Sequence, residues 1–104
     1  KMTRLAKELN TNETIQAAAP GTTQTITTSG SSAAISNAFG NNKRIARIVA
    51  TEDCHIAFAA SPTATTSNTF LPAKQVEYFK ITAGEKVAAI QSSTAGTVYV
   101  TEME

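Results

Sequence analysis

The chain has 104 residues, a formal net charge of +1 and 16% charged residues, well below the ~25% that is typical of globular proteins. This length allows one domain, and the charge lacks the basic excess of a nucleic-acid-binding protein. A surface this poor in charge suits a protein that lies against other proteins, although an ordinary uncharged soluble domain has the same composition.

The single cysteine, Cys54, excludes an internal disulfide and a zinc site built from cysteines. It is compatible with a reducing cytosol. No apolar run approaches the ~18 residues that a membrane-spanning helix needs, and no apolar segment follows the basic residues at the start. We therefore expect neither a membrane partner nor a secretory signal.

Residues 1–12 are predicted to form an N-terminal arm, ahead of a single β-domain at residues 13–104. Met2, Leu5 and Leu9 recur at helical spacing, which predicts one or two turns of amphipathic helix. A helix this short is marginal in water without a partner. Two interpretations stay open: a flexible terminus, or an arm that becomes ordered on a neighbouring subunit.

The β-domain begins with short polar strands. Residues 13–19 predict a first strand that ends at the turn signal Pro20-Gly21. Residues 22–28 are rich in β-branched threonine, and Ile26 is their only large apolar residue, so they predict an edge or surface strand. A brief apolar run follows at residues 33–39.

The central stretch, residues 43–60, predicts two strands joined by a tight turn at residues 51–53. Cys54, Ile56 and Phe58 alternate with smaller or polar side chains, which predicts a half-buried second strand with these three pointing inward. The two strands are expected to form a hairpin at the centre of the fold.

The rest of the chain continues in the same way. Further strands are predicted at residues 76–81, 86–91 and 97–103, and a short hydrophobic segment at residues 70–72 precedes them. About six to eight short strands at this spacing are typical of an all-β protein. The predicted fold is an antiparallel β-sandwich, immunoglobulin-like or jelly-roll-like, with an N-terminal arm.

Asp53, Cys54 and His55 form the only cluster that suggests chemistry. A cysteine nucleophile needs a histidine within hydrogen-bonding distance, whereas strand alternation directs Cys54 and His55 to opposite faces. Asp53 and His55 could share a face and form at most a hydrogen-bonded surface pair. A structural role for Cys54 is the favoured interpretation, because a free cysteine behaves as a small buried apolar side chain.

Other site chemistry finds little support in the sequence. One histidine and one cysteine cannot build a zinc site without carboxylates or a symmetry mate, and no glycine-rich phosphate-binding loop is present. Lys43, Arg44 and Arg47 make a small basic cluster, which is interpreted as solvated or salt-bridged charge or as a subunit contact. We expect no enzyme activity, no metal, no cofactor and no small-molecule substrate.

Three stretches of the chain resemble a small β-rich structural protein that recurs in tailed bacteriophages. They are RIVATEDCHIAFAASPTATTS (residues 47–67), FLPAKQVEYFKITAGEKVAAIQ (residues 70–91) and AGTVYVTEM (residues 95–103). The resemblance covers about the C-terminal half of the chain. It includes a Gly-Glu-Lys-Val turn followed by a closing hairpin, and it identifies no catalytic or binding residues.

The resemblance implies a virion protein, assembled in the host cytoplasm, and the size suggests a head decoration (cement) protein on the capsid exterior. The implied partners are the major capsid protein and the chain itself, as a dimer or trimer. Met2, Leu5, Leu9, Lys43, Arg44 and Arg47 are the expected contact residues. The alternatives are a tail, neck or head-fibre domain and, less favoured because the chain lacks tryptophan, a carbohydrate-binding module.

Overall fold

The computed structural model describes residues 20–41 and 45–103, and this part of the chain contains eight β-strands and no helix. The strands are β1 (Pro20–Thr27), β2 (Ala33–Ala34), β3 (Ile45–Ala50), β4 (Cys54–Ala59), β5 (Thr69–Leu71), β6 (Glu77–Lys80), β7 (Lys86–Gln91) and β8 (Thr97–Met103). They form two antiparallel four-stranded sheets. The prediction of an all-β antiparallel sandwich is confirmed.

The pairing of the strands is nested. The first sheet has the order β1-β8-β3-β6 and the second the order β2-β7-β4-β5. The first strand therefore pairs with the last, the second with the seventh, the third with the sixth and the fourth with the fifth. This is the order of a double-sheet jelly roll, in which a long antiparallel ribbon wraps around the core. Of the two sandwich types expected from the sequence, the structure has the jelly roll.

The prediction of a hairpin at residues 43–60 is wrong. Both of its strands exist, but β3 lies in the first sheet and β4 in the second. Thr51–Asp53 therefore crosses from one sheet to the other instead of closing a two-stranded ribbon. The closing hairpin expected from the resemblance is wrong for the same reason, because β7 and β8 also lie in different sheets.

The core lies between the sheets and is built from the inward side chains of both. Val98, Val100 and Ile48 come from the first sheet, and Ile56 and Val87 from the second. Small side chains contribute as well, including buried Ala46, Ala50 and Ala89. Phe58 joins Phe39 and Phe79 in an aromatic group with ring centroids 6.3 and 5.5 Å apart. The core therefore combines branched aliphatic, aromatic and small side chains.

The N-terminal predictions meet the structure only from Pro20 onward. The threonine-rich edge strand is confirmed, because β1 lies at the border of the first sheet and Ile26 is its one buried residue. The predicted turn at Pro20-Gly21 is wrong, because both residues belong to β1. The predicted arm at residues 1–12 and the predicted strand at residues 13–19 lie outside the described residues. The same holds for three residues between the Gly40-Asn41 turn and β3.

Candidate functional site

The outer side of the first sheet carries an apolar and aromatic surface, here called the open face. Its centre is β3, whose Ile45, Arg47 and Val49 alternate with the buried Ala46, Ile48 and Ala50 and therefore point outward. The neighbouring strands add Tyr78, Lys80 and Tyr99, together with the threonines of β1, whereas the outward Thr101 and Met103 are each only 8% exposed. Few of these side chains are charged.

Two tyrosines stand out of the open face. Tyr78 is 46% exposed and Tyr99 is 43% exposed. The register places Tyr78 opposite Arg47 and Tyr99 opposite Val49, on either side of β3. The two tyrosines are separated by two strand spacings across the sheet and by two residues along it. Their Cα atoms therefore lie about 12 Å apart. The pair therefore flanks a flat central strip of β3.

Arg47 lies in the middle of this strip. It is half-buried and pairs in register with Thr101 on one side and Tyr78 on the other. Of the six contact residues predicted from the sequence, Arg47 alone falls within the described residues. Met2, Leu5, Leu9, Lys43 and Arg44 lie outside them.

The outer side of the second sheet, here called the covered face, lies beneath the loop at residues 61–68. The Ala64 N–H donates to Ser32 Oγ at 2.8 Å, and the Asn68 carbonyl oxygen lies 3.1 Å from His55 Nδ1. Strand alternation directs both Ser32 and His55 away from the core. The loop therefore crosses the outside of β7, between β2 and β4.

Burial confirms this placement of the loop. Ala88 sits between Ala34 and Ala57 in the outward row of the sheet, yet it is 0% exposed. Ala64 in the loop is 2% exposed, and neither Ala64 nor Ala88 belongs to the core cluster between the sheets. Ala64 and Ala88 are therefore buried on the covered face, whereas Ala34 and Phe70 on its two edge strands stay exposed, Phe70 at 47%.

The Asp53-Cys54-His55 cluster does not assemble into a reactive site. Cys54 is buried in the core, whereas the His55 ring lies on the outer side of the sheet, 5.3 Å from the Phe70 ring. Asp53 Oδ1 accepts a hydrogen bond of 2.7 Å from the Ala73 N–H. Asp53 and His55 thus bond to different partners, and the surface pair considered from the sequence is not formed.

Cys54 has the environment of a structural cysteine. Desolvation by burial, with a contribution from the neighbouring Asp53 charge, raises the pKa of its thiol from 9.0 to about 11. A thiol in this state holds almost no thiolate at neutral pH, and the thiolate is the nucleophilic form. The structural interpretation of Cys54 agrees with this environment.

Within residues 20–41 and 45–103, no group of three or more His, Cys, Asp or Glu side chains is placed to hold a metal ion. The same part of the chain has no helix with the length and apolarity to cross a membrane. No protein-family model, no curated protein and no solved structure matches the chain.

The open face contains two residues that the sequence interpretation left undecided. Aromatic side chains such as Tyr78 and Tyr99 occur both in protein cores and at interfaces. The signal that separates these two roles is the alternation in β8, where the exposed Tyr99 lies between the buried Val98 and Val100. That pattern places Tyr99 outside. What it leaves undetermined is whether another element covers the outer side.

Proposed function

We propose that the chain is a non-enzymatic virion protein that decorates the outside of a bacteriophage capsid and stabilises contacts between major capsid subunits. The observation that carries the proposal is the open face, a charge-poor sheet surface with Tyr78, Tyr99 and Arg47 at its centre. Tyrosine and arginine are enriched in protein–protein interfaces, where charged residues are depleted. The resemblance of residues 47–67, 70–91 and 95–103 to phage structural proteins supports the capsid as partner.

The fold agrees with this proposal without deciding it. Jelly rolls occur in viral capsid proteins and also in lectins, and a fold by itself does not determine a function. The choice between these classes therefore depends on the chemistry of the open face.

The size of the open face determines how it would bind. Four strands spaced ~4.8 Å apart and about six residues long give roughly 400 Å². A standard interface buries about 800 Å² on each partner. One such face is therefore a weak binder, and firm attachment requires several faces held in one oligomer, whose contacts add through effective concentration.

The location and copy number of the protein in purified virions test the proposal. We expect a copy number comparable to that of the major capsid protein and density on the outside of the head in a cryo-EM map. A few copies confined to the tail or neck, or density only along a head fibre, would contradict decoration and support the corresponding alternative.

A matched pair of variants tests the open face itself. Heads that lack the protein are incubated with the Tyr78→Ala/Tyr99→Ala variant or with Phe70→Ala. All three side chains are similarly exposed, but Phe70 lies at the margin of the covered face. We expect the tyrosine variant to lose occupancy by about tenfold or more, since hot-spot tyrosines contribute more than ~1.4 kcal/mol. Equal occupancy for both variants would contradict the assignment of the open face.

The predicted arm has its own experiment. We expect removal of residues 1–9, which eliminates Met2, Leu5 and Leu9, to weaken attachment to heads while the β-domain stays folded. Circular dichroism checks the fold, and occupancy on heads checks the binding. Unchanged occupancy would show that the arm makes no capsid contact.

Carbohydrate binding is the second candidate function, because two exposed tyrosines on a flat sheet also form a surface on which sugar rings can stack. Aromatic side chains bury large areas with an apolar face and a polar edge, which suits a sugar ring as well as a protein. A glycan array with the isolated protein distinguishes the two. Binding that Tyr78→Ala/Tyr99→Ala abolishes would favour the carbohydrate module, and no binding to any glycan would leave decoration as the proposal.

A further inference from the structure

The four sheet edges of the sandwich differ in how well they are protected against pairing with another strand. An edge strand presents unpaired N–H and C=O groups, and proteins shield such edges with short strands, charges, prolines or bulges. In the described part of the chain, β2 has two residues and β5 has three. The edge strand β6 carries the charged residues Glu77 and Lys80.

β1 lacks these protections over most of its length. It has eight residues and no charged side chain, and its register irregularity and its proline lie at its beginning, between Pro20 and Thr23. From Thr23 to Thr27 it pairs regularly with β8. In this stretch the Gln24 side chain bonds to the Asn37 backbone. The backbone of β1 bonds to no described segment other than β8, so its outer backbone edge has no backbone partner among the described residues.

We propose that β1 pairs antiparallel with β1 of a second copy of the chain, about a two-fold axis near Thr25. In this arrangement the two first sheets join into one eight-stranded sheet. This proposal concerns self-association alone, and it stands or falls independently of the proposed capsid function.

The chemistry of β1 favours a second copy over an unrelated strand. With the two-fold axis near Thr25, residue 25 faces its own copy and residue 23 faces residue 27, so charges of one sign in this short strand would be brought close together. β1 has none between Pro20 and Thr27. Threonine pairs across antiparallel strands are favourable, and the exposed Thr23, Thr25 and Thr27 supply them on the outer side of the sheet. Two-fold dimers are also the commonest symmetric assemblies.

Pairing through β1 has a consequence for the open face, and this consequence does rest on the proposed function. The open faces of the two copies would lie side by side on one continuous sheet. Their combined area, roughly 800 Å², equals the area that one partner contributes to a standard interface. Dimerisation would thereby convert two weak faces into one surface of ordinary interface size.

The test uses charge at the two-fold axis. In Thr25→Lys, two lysines face each other across the axis, and in Thr25→Glu two glutamates do, with Cβ atoms ~5 Å apart in a directly opposed pair. Sedimentation equilibrium of the isolated protein measures self-association. We expect each variant to associate about tenfold or more weakly than the unmodified chain, and an equimolar mixture of the two to recover the association as a mixed dimer.

Two controls separate a loss of pairing through β1 from a nonspecific effect of added charge or of unfolding. Thr66→Lys places the same charge in the exposed loop at residues 61–68, and it should leave self-association unchanged. Thermal unfolding of each variant shows that the sandwich is intact, because the exposed Thr25 side chain contributes nothing to the core.

The outcomes that would overturn the proposal are distinct. An unmodified chain that is monomeric at every concentration shows that no second copy occupies the edge, as would happen if residues 13–19 of the same chain covered it. Self-association that is unaffected by both charges at residue 25, or that the mixture fails to restore, assigns the contact to another surface. An equal loss with Thr66→Lys shows that the effect is nonspecific.

Discussion

The two outer faces of the jelly roll differ in a way that their strands alone do not explain. Both sheets alternate inward and outward side chains, and both carry apolar residues on the outside. On the second sheet the loop at residues 61–68 crosses the surface and buries Ala88. On the first sheet Tyr78 and Tyr99 remain almost half exposed.

The outer sides of the two sheets differ in the size of the side chains that they carry. The row Ala34, Ala88 and Ala57 leaves room for a loop backbone to approach the second sheet, and Ser32 and His55 provide polar groups that bond to it. The first sheet carries the larger rings of Tyr78 and Tyr99 on its outer side. Among the described residues, a loop therefore lies over the outer side of the second sheet, whereas Tyr78 and Tyr99 on the first sheet stay exposed.

Ala88→Glu and Val49→Glu compare the two faces directly, and the first has the largest expected effect. A carboxylate at Ala88 would be buried under the loop, which costs about 3 kcal/mol or more of unfolding free energy. On the open face Val49 has solvent beside it, and the same change should cost about 1 kcal/mol. Urea unfolding of the two variants measures both values, and equal losses would contradict the distinction between the faces.

Ser32→Ala tests the attachment of the loop. The variant removes the oxygen that accepts the Ala64 N–H, and a buried donor without a partner costs about 1–3 kcal/mol. We expect faster hydrogen exchange at Ala64 and faster proteolysis within residues 61–68, with β1 and β8 unaffected. Exchange at Ala64 that matches the unmodified protein would show that the bond does not hold the loop.

Cys54→Ala examines the core between the faces. Below pH 9 the substitution should cost about 1 kcal/mol, since it removes one buried sulfur atom. The folded protein keeps the thiol protonated up to a pKa of about 11, against 9.0 in the unfolded chain, so the unmodified protein loses stability as the pH rises between these values. The alanine variant lacks this loss of stability. The difference in unfolding free energy between the two proteins should therefore shrink in that pH interval, which unfolding experiments at several pH values measure.

Tyr78→Ala and Tyr99→Ala should have the smallest effect on stability, about 0.5 kcal/mol each, because both rings are exposed. The expected loss is in binding to heads. A loss of stability comparable to that of Ser32→Ala would show that the tyrosines pack against the protein itself, in which case the open face would not be open.

Several features of the fold could be predicted from local sequence patterns. The edge position of β1 follows from its threonines and its single large apolar residue. The inward direction of Cys54, Ile56 and Phe58 follows from alternation, as does the separation of Cys54 from His55 that argued against a catalytic cluster. These are properties of a few adjacent residues, and a strand expresses them wherever it lies in the fold.

Sheet membership was decided only by the tertiary structure. The link at residues 51–53 is short enough for a hairpin and also long enough to cross between sheets, so the sequence near it permits both. The crossing arises because β3 pairs with β8 and β4 pairs with β7, and these partners lie far away along the chain. Burial of outer surfaces depends on the same long-range order. The sequence by itself determined which side chains leave the core. The tertiary structure decided that Ala88 on the outside of the second sheet is buried and that Tyr78 and Tyr99 on the outside of the first sheet stay exposed.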